Sequence, residues 1–405
     1  MLYILTPEYL LRISEGAEEI AEYLHADIMN RIIERMMIRI NRGEKYLLTS
    51  LDKWQIETLQ DTGFLLEDIQ KEISKRTKQQ ETEIKEAFED AGVKTLEYDD
   101  KIYRDAGLSP VPLWESLYMV RLMQRSYEAT LGEWNNFTRT IAETSQTLFI
   151  SEMDKAYNLV TSGTVSYTQA FYEAINNVVS DGVIVRYPSG HKDTIETAAL
   201  RCVRTGVTQM SGEITDARMN EMDWDIILVS SHLGARHTGT NDFRDHQHWQ
   251  GKFYSKSGND KRFPPYSECG FGHVQGIHGA NCRHSHGPGD GVHNPFSEYD
   301  TEENKKIYET QQTQRSKERR IRETKREVMG LKTALDNAKD EKLKFELDMK
   351  YQRKSALLQK QNSDYNDFCD KNNVKRLQER LAIAKWDRQQ AAAARGASRR
   401  YQNAK

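Results

Sequence analysis

Prolines divide this sequence into long helical stretches and one loop-rich segment. Residues 8–90 and 296–405 contain no proline, whereas residues 231–298 hold four of the eight prolines and many glycines. Proline interrupts helices, and glycine favours turns. Apolar residues recur three and four positions apart in the N-terminal stretch, which predicts amphipathic helices. A weak seven-residue repeat in the C-terminal stretch predicts long helices or a helical hairpin.

Local signals place the remaining elements. Helices are expected over residues 51–59, 64–88, 113–159, 167–179 and 194–220. Ser166 is a favoured N-cap residue, Gly92 suggests a loop, and Arg395–Gly396 suggests a frayed helix end. Strands are expected at Gly182–Tyr187, ended by Pro188–Gly190, and at Trp224–Ser230. The sequence therefore predicts an α+β protein that is predominantly α-helical.

Composition sets the scale of the core. Of the 405 residues, 37% are apolar and 29% are charged, and the mean hydropathy is −0.79. Such a chain can form a core but must also contain long solvated helices. We expect a helical N-terminal region over 1–110, connecting helices over 111–160, a small His/Cys-rich α+β core over 161–298 and a basic helical tail over 299–405. No apolar run is long enough for a membrane span.

The segment Ser231–His293 carries the most distinctive chemistry. It holds nine of the eleven histidines and two of the four cysteines. Zinc needs several converging nitrogen or sulfur ligands. The candidate metal ligands are His246, Cys269, His273, His278, Cys282 and His284. Zinc is the candidate cofactor. The alternative is a metal-free network in which these groups form hydrogen bonds within a loop-rich core.

Catalytic signatures are weak in this sequence. It contains no His-Glu-x-x-His motif, no Gly-x-Ser-x-Gly motif and no phosphate-binding loop. Asn281 lies too close to His284 and His286 for the layout of a hairpin-and-helix nuclease. We therefore expect no enzyme, and the alternative is a metal-dependent hydrolase, either a nuclease or a peptidase.

Three residues of the same segment are predicted to have structural roles. Trp249 is expected to place its indole in the small core, and Gly251 to allow close backbone approach. Arg283 needs a carboxylate partner if it is buried, and Asp242 and Asp245 are the candidates.

Charge is distributed unevenly along the chain. The formal net charge is −3, but residues 301–405 sum to about +11 and residues 1–300 to about −14. A basic tail on an acidic body can bind a polyanion without sequence preference and with strong salt dependence. The predicted nucleic-acid-binding residues are Arg353, Lys354, Lys375, Arg376, Arg380, Arg395, Arg399 and Arg400. The alternative is a solvated helix whose aromatic residues pack on a neighbour.

Several runs resemble tailed-phage minor capsid proteins of the second minor-capsid type, in the same order. They are Tyr187–Gly190, Ser231–Arg236, His246–Lys252, Gly279–Ser285 and Tyr308–Arg315. The likeness covers about residues 110–330. The chain is also similar to Mu F-like head morphogenesis proteins. In those proteins a Cys-Arg-Cys occurs where this chain has Cys282, Arg283 and His284. A second departure is that His278 precedes Cys282 by four residues rather than three.

This resemblance implies a structural head protein that associates with the portal. It would act in head morphogenesis and in DNA packaging or ejection, and the resemblance supplies no catalytic residues. The implied partners are the portal protein, the major capsid or scaffold protein, packaged double-stranded DNA and further copies of the chain on the portal. We expect the N-terminal helices to dock through their apolar stripes. The protein would be made in the host cytoplasm and reside in the virion, in the capsid interior or portal region.

Overall fold

Helices account for most of the fold. A computed structural model describes residues 5–47, 50–187 and 189–404. Its α-helices are α1 (Pro7–Arg12), α2 (Glu15–Ile40), α3 (Glu44–Leu47), α4 (Leu51–Asp105), α5 (Leu117–Thr161), α6 (Tyr167–Asp181), α7 (Ile195–Glu221), α8 (His246–Trp249), α9 (Thr301–Asn337), α10 (Glu341–Lys371) and α11 (Arg388–Asn403). Short 3-10 turns span Leu113–Glu115, Tyr266–Cys269 and Gln378–Leu381. None of the described helices is long and apolar enough to cross a membrane.

Short strands in the described residues form two small antiparallel sheets. They are β1 (Ile184–Arg186), β2 (Lys192–Thr194), β3 (Ile226–Val229), β4 (Phe253–Ser255) and β5 (His286–Pro288). Strand β1 pairs with β2, and β3 lies between β4 and β5. Ile227 is opposite Tyr254 on one side and Pro288 on the other. Ile227, Leu228 and Val229 are buried, which suits apolar and β-branched residues in a central strand.

The described residues group into two compact units, each assembled from separate parts of the chain. The first unit draws on Met1–Glu18, Gln79–Asn135 and Ala199–Gln312. The second unit draws on Glu19–Lys78, Asn136–Ala198 and Thr313–Lys405. Helices α2, α4, α5, α7 and α9 each contribute residues to both units. The division into four consecutive regions that the sequence suggested stays a prediction.

Helix packing in the first unit explains why α4 passes through Gly92 without a loop. A Cβ atom at Gly92 would lie 3.1 Å from the sulfur of Met123, 3.5 Å from Leu113 and 3.6 Å from Ile214. The missing side chain therefore allows α4 to approach its neighbours closely. Glycine costs up to about 1 kcal/mol in a helix interior, and close packing of this kind offsets that cost.

The second unit has a similarly close contact at Gly330 of α9. A Cβ atom there would lie 2.9 Å from Val179 of α6 and 3.1 Å from Ile33 of α2. The apolar stripe of α2 is buried in this unit, with Leu24, Ile28 and Met36 each 0% exposed. Those residues belong to the core, so the expectation that this stripe docks on a partner is wrong for the described structure.

A buried aromatic and ionic cluster anchors the N-terminal part of α4 in the second unit. The guanidinium carbon of Arg39 lies 3.7 Å from the ring centre of Trp54, and Arg39 also donates a hydrogen bond to the Trp54 carbonyl oxygen at 2.8 Å. The Trp54 indole N–H donates to Asp154 at 2.9 Å, and its ring stacks on Tyr157 at 4.7 Å between centres. Trp54 thus satisfies its polar atom while filling the core.

The structure confirms the predicted fold class and several boundaries. Ser166 caps α6, because its hydroxyl accepts a hydrogen bond from the Gln169 N–H at 3.2 Å. Both predicted strands are present as β1 and β3, although each is shorter than expected. Pro188, predicted to end the first of them, lies outside the described residues.

Three predicted interruptions are wrong. Helix α4 continues through the expected break between residues 59 and 64 and through Gly92. Helix α11 continues through Arg395–Gly396 to Asn403. Its Ala394 and Ala397 are fully buried where α11 packs on α10. At Gly92 and at Arg395–Gly396, tertiary packing outweighs the local preference for a turn.

Replacing Trp54 by alanine tests the anchoring cluster. We expect Trp54→Ala to lower the free energy of unfolding by about 3–5 kcal/mol, because a large core side chain and its hydrogen bond are lost. Chemical denaturation followed by far-UV circular dichroism measures this change. The control is Trp114→Ala, at a tryptophan that is 56% exposed, where a change within about 0.5 kcal/mol is expected. Equal effects of the two substitutions would contradict the anchoring role.

Candidate metal centre

Three of the predicted ligands converge in the first unit. His246 is the first residue of α8, and Cys282 and His284 lie in the loop before β5. One ligand atom from each residue lies within 4.8 Å of the others. Asn281 has a φ of 61°, a left-handed conformation that asparagine tolerates better than most residues. This turn directly precedes Cys282, so it sets the direction in which the thiol points.

Arg236 fixes the loop that carries two of these ligands. Its guanidinium donates hydrogen bonds to the carbonyl oxygens of Gln275 at 3.0 Å and Ala280 at 2.8 Å. Hydrogen bonds from a charged donor are stronger than neutral ones. The loop therefore reaches Cys282 along a defined path.

The ligand atoms are sealed from solvent and close to one another. His246 is 2% exposed, Cys282 is 1% exposed and His284 is 0% exposed. The Cys282 sulfur lies 3.6 Å from Nδ1 of His284 and accepts a hydrogen bond from the His284 backbone N–H at 3.4 Å. The three side chains thus form a compact, dry group of two nitrogens and one sulfur.

Neighbouring hydrogen-bond acceptors determine which imidazole nitrogen faces the centre. Nε2 of His246 lies 2.9 Å from the Gln275 carbonyl oxygen, and Nε2 of His284 lies 3.0 Å from Oε1 of Gln250. Both acceptors lack a proton, so each Nε2 carries the N–H and each Nδ1 keeps its lone pair. Outer hydrogen bonds of this kind orient histidine ligands in metal sites.

The Gln250 amide is itself held in one orientation. Its Oε1 also accepts a hydrogen bond from the His232 backbone N–H at 3.0 Å, and its Nε2 donates to Gln247 at 2.9 Å. The oxygen must therefore face His284. The His232 ring stacks on His284 at 4.4 Å between centres, which fixes the plane of that imidazole.

The predicted structural residues surround the group. Trp249 contacts His246 and His284, with ring centres 4.6 Å and 4.8 Å apart, and its indole N–H donates to the Phe243 carbonyl oxygen at 3.0 Å. Gly251 has a φ of 68°, and a Cβ atom there would lie 3.1 Å from Ser231.

The two predicted carboxylate partners of Arg283 pair with other residues. Arg283 donates to the Gly234 carbonyl oxygen at 3.0 Å. Asp242 forms an ion pair with Arg244 at 2.6 Å, and Asp245 lies 3.1 Å from His237. The Gly234 carbonyl oxygen therefore accepts a hydrogen bond from Arg283 where a carboxylate was predicted.

Burial sets the protonation of the ligands. It lowers the pKa of His246 to about 3 and holds the pKa of His284 well below its ordinary value, and nearby positive charge adds to both effects. Burial raises the pKa of the Cys282 thiol, whereas Arg236 and Arg283 oppose that rise. The imidazoles are therefore neutral near pH 7, and a metal ion would displace the thiol proton. This buried His-Cys-His group could hold a metal ion.

The other three predicted ligands lie elsewhere. Cys269 is buried in an apolar cluster that also contains Tyr254. His273 is exposed and stacks on Phe243 at 4.7 Å between ring centres. His278 is buried, with Nε2 2.8 Å from Nδ1 of His286. The structure does not bring these three side chains into the group formed by His246, Cys282 and His284.

A second polar network in the first unit matches the alternative reading of the His/Cys segment, hydrogen bonding within a loop-rich core, although its link to Asp216 was not predicted. His286 lies between His278 and Asp216, whose Oδ1 is 3.6 Å from its Nε2. The Tyr266 hydroxyl lies 2.9 Å from Nδ1 of His286. These residues come from α7, a 3-10 turn and β5, and no spacing rule connects them.

The predicted nucleic-acid-binding residues divide into two sets. Four of them form ion pairs, in which Lys354 pairs with Glu327, Arg376 with Asp370, Arg380 with Glu318 and Arg400 with Asp348. The other four are exposed, and no carboxylate in the described residues lies within ion-pair distance. They are Arg353, Lys375, Arg395 and Arg399.

Fold and site together describe a helical scaffold that carries a solvent-sealed His-Cys-His group. The sequence model of phage minor capsid protein 2 matches residues 5–368. The match covers most of the chain, so this protein belongs to the phage minor capsid protein 2 family. Membership implies a structural role in the virion and confirms the resemblance found in the sequence. No curated protein and no solved structure matches the chain significantly.

The shifted pKa of His246 predicts an acid-dependent loss of stability. Its folded pKa is about 3, and its unfolded pKa is about 6.5. Between these values only the unfolded chain binds the proton. The stabilisation is therefore complete above about pH 6.5 and falls by about 1.4 kcal/mol per pH unit as the pH decreases towards about 3.

His246→Gln in metal-free protein measures this contribution. Denaturation midpoints between about pH 6 and pH 4 should give a slope shallower by about one proton than that of the wild type. His248→Gln is the control on the same helix, because the side chain of His248 is exposed. An unchanged slope in His246→Gln would show that this imidazole is not held neutral by burial.

Proposed function

We propose that this protein is a portal-associated structural component of a tailed-phage head, with a core stabilised by zinc. The match to the phage minor capsid protein 2 family over residues 5–368 is the observation that carries the structural role. The His-Cys-His group supports the metal. Roles in head morphogenesis and in DNA packaging or ejection are part of the same proposal.

The donor set of the buried group suits zinc. One thiolate and two imidazoles are typical zinc ligands, with bond lengths of about 2.3 Å to sulfur and about 2.0–2.1 Å to nitrogen. At a tetrahedral angle these bonds separate sulfur from nitrogen by about 3.6 Å. The observed distance from the Cys282 sulfur to Nδ1 of His284 is 3.6 Å. His246 would be the third ligand, because its Nδ1 keeps a lone pair.

Burial favours a structural role over hydrolysis. Catalytic zinc needs an open position that a water molecule and a substrate can reach. His246, Cys282 and His284 are each at most 2% exposed. Residues 231–298 contain only short strands, turns and one short helix, so a bound ion would tie together a segment with little regular structure.

An exposed apolar segment in the first unit supports a contact with the portal or capsid wall. Leu108 is 37% exposed, Val111 45%, Trp114 56%, Leu117 62% and Tyr118 64%. Contiguous exposed apolar residues of this kind mark protein–protein contacts. We assign the partner surface to this segment instead of the buried stripe of α2. Further copies of the chain would occupy equivalent positions around the portal.

Purified particles provide the test of the structural role. We expect the protein to be present in mature virions after density-gradient purification and to crosslink to the portal protein. Trp114→Glu combined with Leu117→Glu should reduce incorporation severalfold without changing the fold, because charges would face an apolar contact. Mass spectrometry of heads measures both results. Absence of the protein from virions would overturn the proposed function.

Metal analysis tests the zinc proposal separately. Wild-type protein purified without chelator should contain about one zinc per chain, and Cys282→Ser should lose it along with several kcal/mol of stability. The control is Cys269→Ser, because Cys269 is equally buried but lies outside the group. Its zinc content should stay at the wild-type value. Zinc retained by Cys282→Ser, or nuclease or peptidase turnover lost together with zinc, would contradict a structural centre.

A further inference from the structure

Helix α11 has two distinct faces. Ala394, Ala397 and Ser398 are buried, and α11 packs against α10. These small residues allow the two helices to approach closely. Because this face is covered, only the opposite side of α11 can contact a partner.

The opposite side carries a row of three arginines. Arg388, Arg395 and Arg399 follow one another at intervals of seven and four residues. At 3.6 residues per turn they fall within about 40° of each other around the helix axis, separated by about 10 Å and about 6 Å along it. All three side chains are exposed. We call these three residues the arginine row.

No carboxylate among the described residues lies within ion-pair distance of the arginine row, whereas several other exposed arginines are paired. Arg244, Arg262 and Arg376 each form an ion pair at 2.5–2.6 Å, with Asp242, Asp260 and Asp370. Helix α11 itself contains no acidic residue. The nearest acidic residue in sequence, Asp387, caps the helix by accepting a hydrogen bond from the Gln390 N–H at 2.8 Å. No ion pair among the described residues therefore neutralises the positive charge of the row.

We propose that the arginine row binds the phosphate backbone of double-stranded DNA, an inference that rests on the proposed function and names the surface that meets the genome. B-form DNA carries one negative charge per about 1.7 Å of helix axis, so a rigid row about 16 Å long faces enough phosphates for all three guanidiniums. Phosphate contacts alone carry no sequence information. Binding is therefore independent of sequence and strongly dependent on salt.

The same face does not suit a membrane surface. A helix that lies on a bilayer inserts an apolar face beside its basic one. The non-basic face of α11 consists of small residues that are already buried against α10. The exposed residues of α11 are arginine, glutamine, asparagine and one alanine. The face therefore offers no large apolar side chain to a bilayer, and its charge complements a polyanion.

A triple substitution tests the arginine row in the full-length protein. Binding of a short fluorescent DNA duplex of random sequence is measured by anisotropy between about 50 and about 200 mM salt. For Arg388→Gln, Arg395→Gln and Arg399→Gln together, we expect the slope of log K against log salt to become shallower by about 2.7. The affinity near 100 mM salt should fall by about a hundredfold.

The control removes the same charge from paired arginines. Arg244→Gln, Arg262→Gln and Arg376→Gln together also lower the net charge by three, but each of these guanidiniums already has a carboxylate partner. This variant should keep the wild-type slope to within about one unit. Circular dichroism confirms that both variants fold. Equal weakening by the two triple variants would overturn the assignment to this face, as would wild-type binding by the row variant.

Two further measurements separate this inference from the proposed function. If wild-type protein bound anionic phosphatidylserine vesicles more tightly than the duplex, the DNA assignment would be overturned. Incorporation of the row variant into virions at the wild-type level, with DNA binding lost, is the expected result. Absence of the wild-type protein from virions would instead contradict the proposed function, whatever the anisotropy shows.

Discussion

Two hydrogen bonds to uncharged oxygens determine what the His/Cys segment can do. The Gln275 carbonyl oxygen accepts a hydrogen bond from Nε2–H of His246, and the Gln250 side-chain oxygen accepts one from Nε2–H of His284. His284 thus directs the lone pair of its Nδ1 toward the Cys282 sulfur, 3.6 Å away, and Nδ1 of His246 also keeps its lone pair. Without these acceptors the rings could rotate or change tautomer, and the three donors would no longer converge. The positions of the Gln275 loop, of α8 and of β5 all matter because they keep these bonds in place.

Periodicity in the sequence was sufficient to predict most helices, and the short β-branched runs at β1 and β3 were recognisable. Two of the errors concern glycines inside helices. Gly92 and Gly396 both have the local character of a turn, yet both lie inside helices. Gly92 is explained by a neighbour, Met123, that is distant in sequence. Such a contact is invisible to any rule that reads only a few adjacent residues.

The residues of the candidate site could also be predicted only in part from the sequence. Clustering of histidine and cysteine in sequence drew attention to the segment in which three of the six named residues converge. Which three converge could not be deduced. The selection depends on the path of a loop with a left-handed residue at Asn281. Cys269 is buried in the same apolar cluster as Cys282 but does not belong to the His-Cys-His group. The His278–His286–Asp216 network has no sequence signature, because its members meet only through the fold.

The ligands lie far apart along the chain, so a bound ion would restrict the unfolded chain. His246 and Cys282 are 36 positions apart, and all four cysteines are free thiols. An ion held by both residues would close the intervening loop much as a disulfide does, which in the chain-entropy treatment removes about 4 kcal/mol from the unfolded ensemble. Unlike a disulfide, this crosslink would assemble without an oxidant and release when chelated. A loop-rich domain would thereby gain a crosslink that needs no oxidising environment.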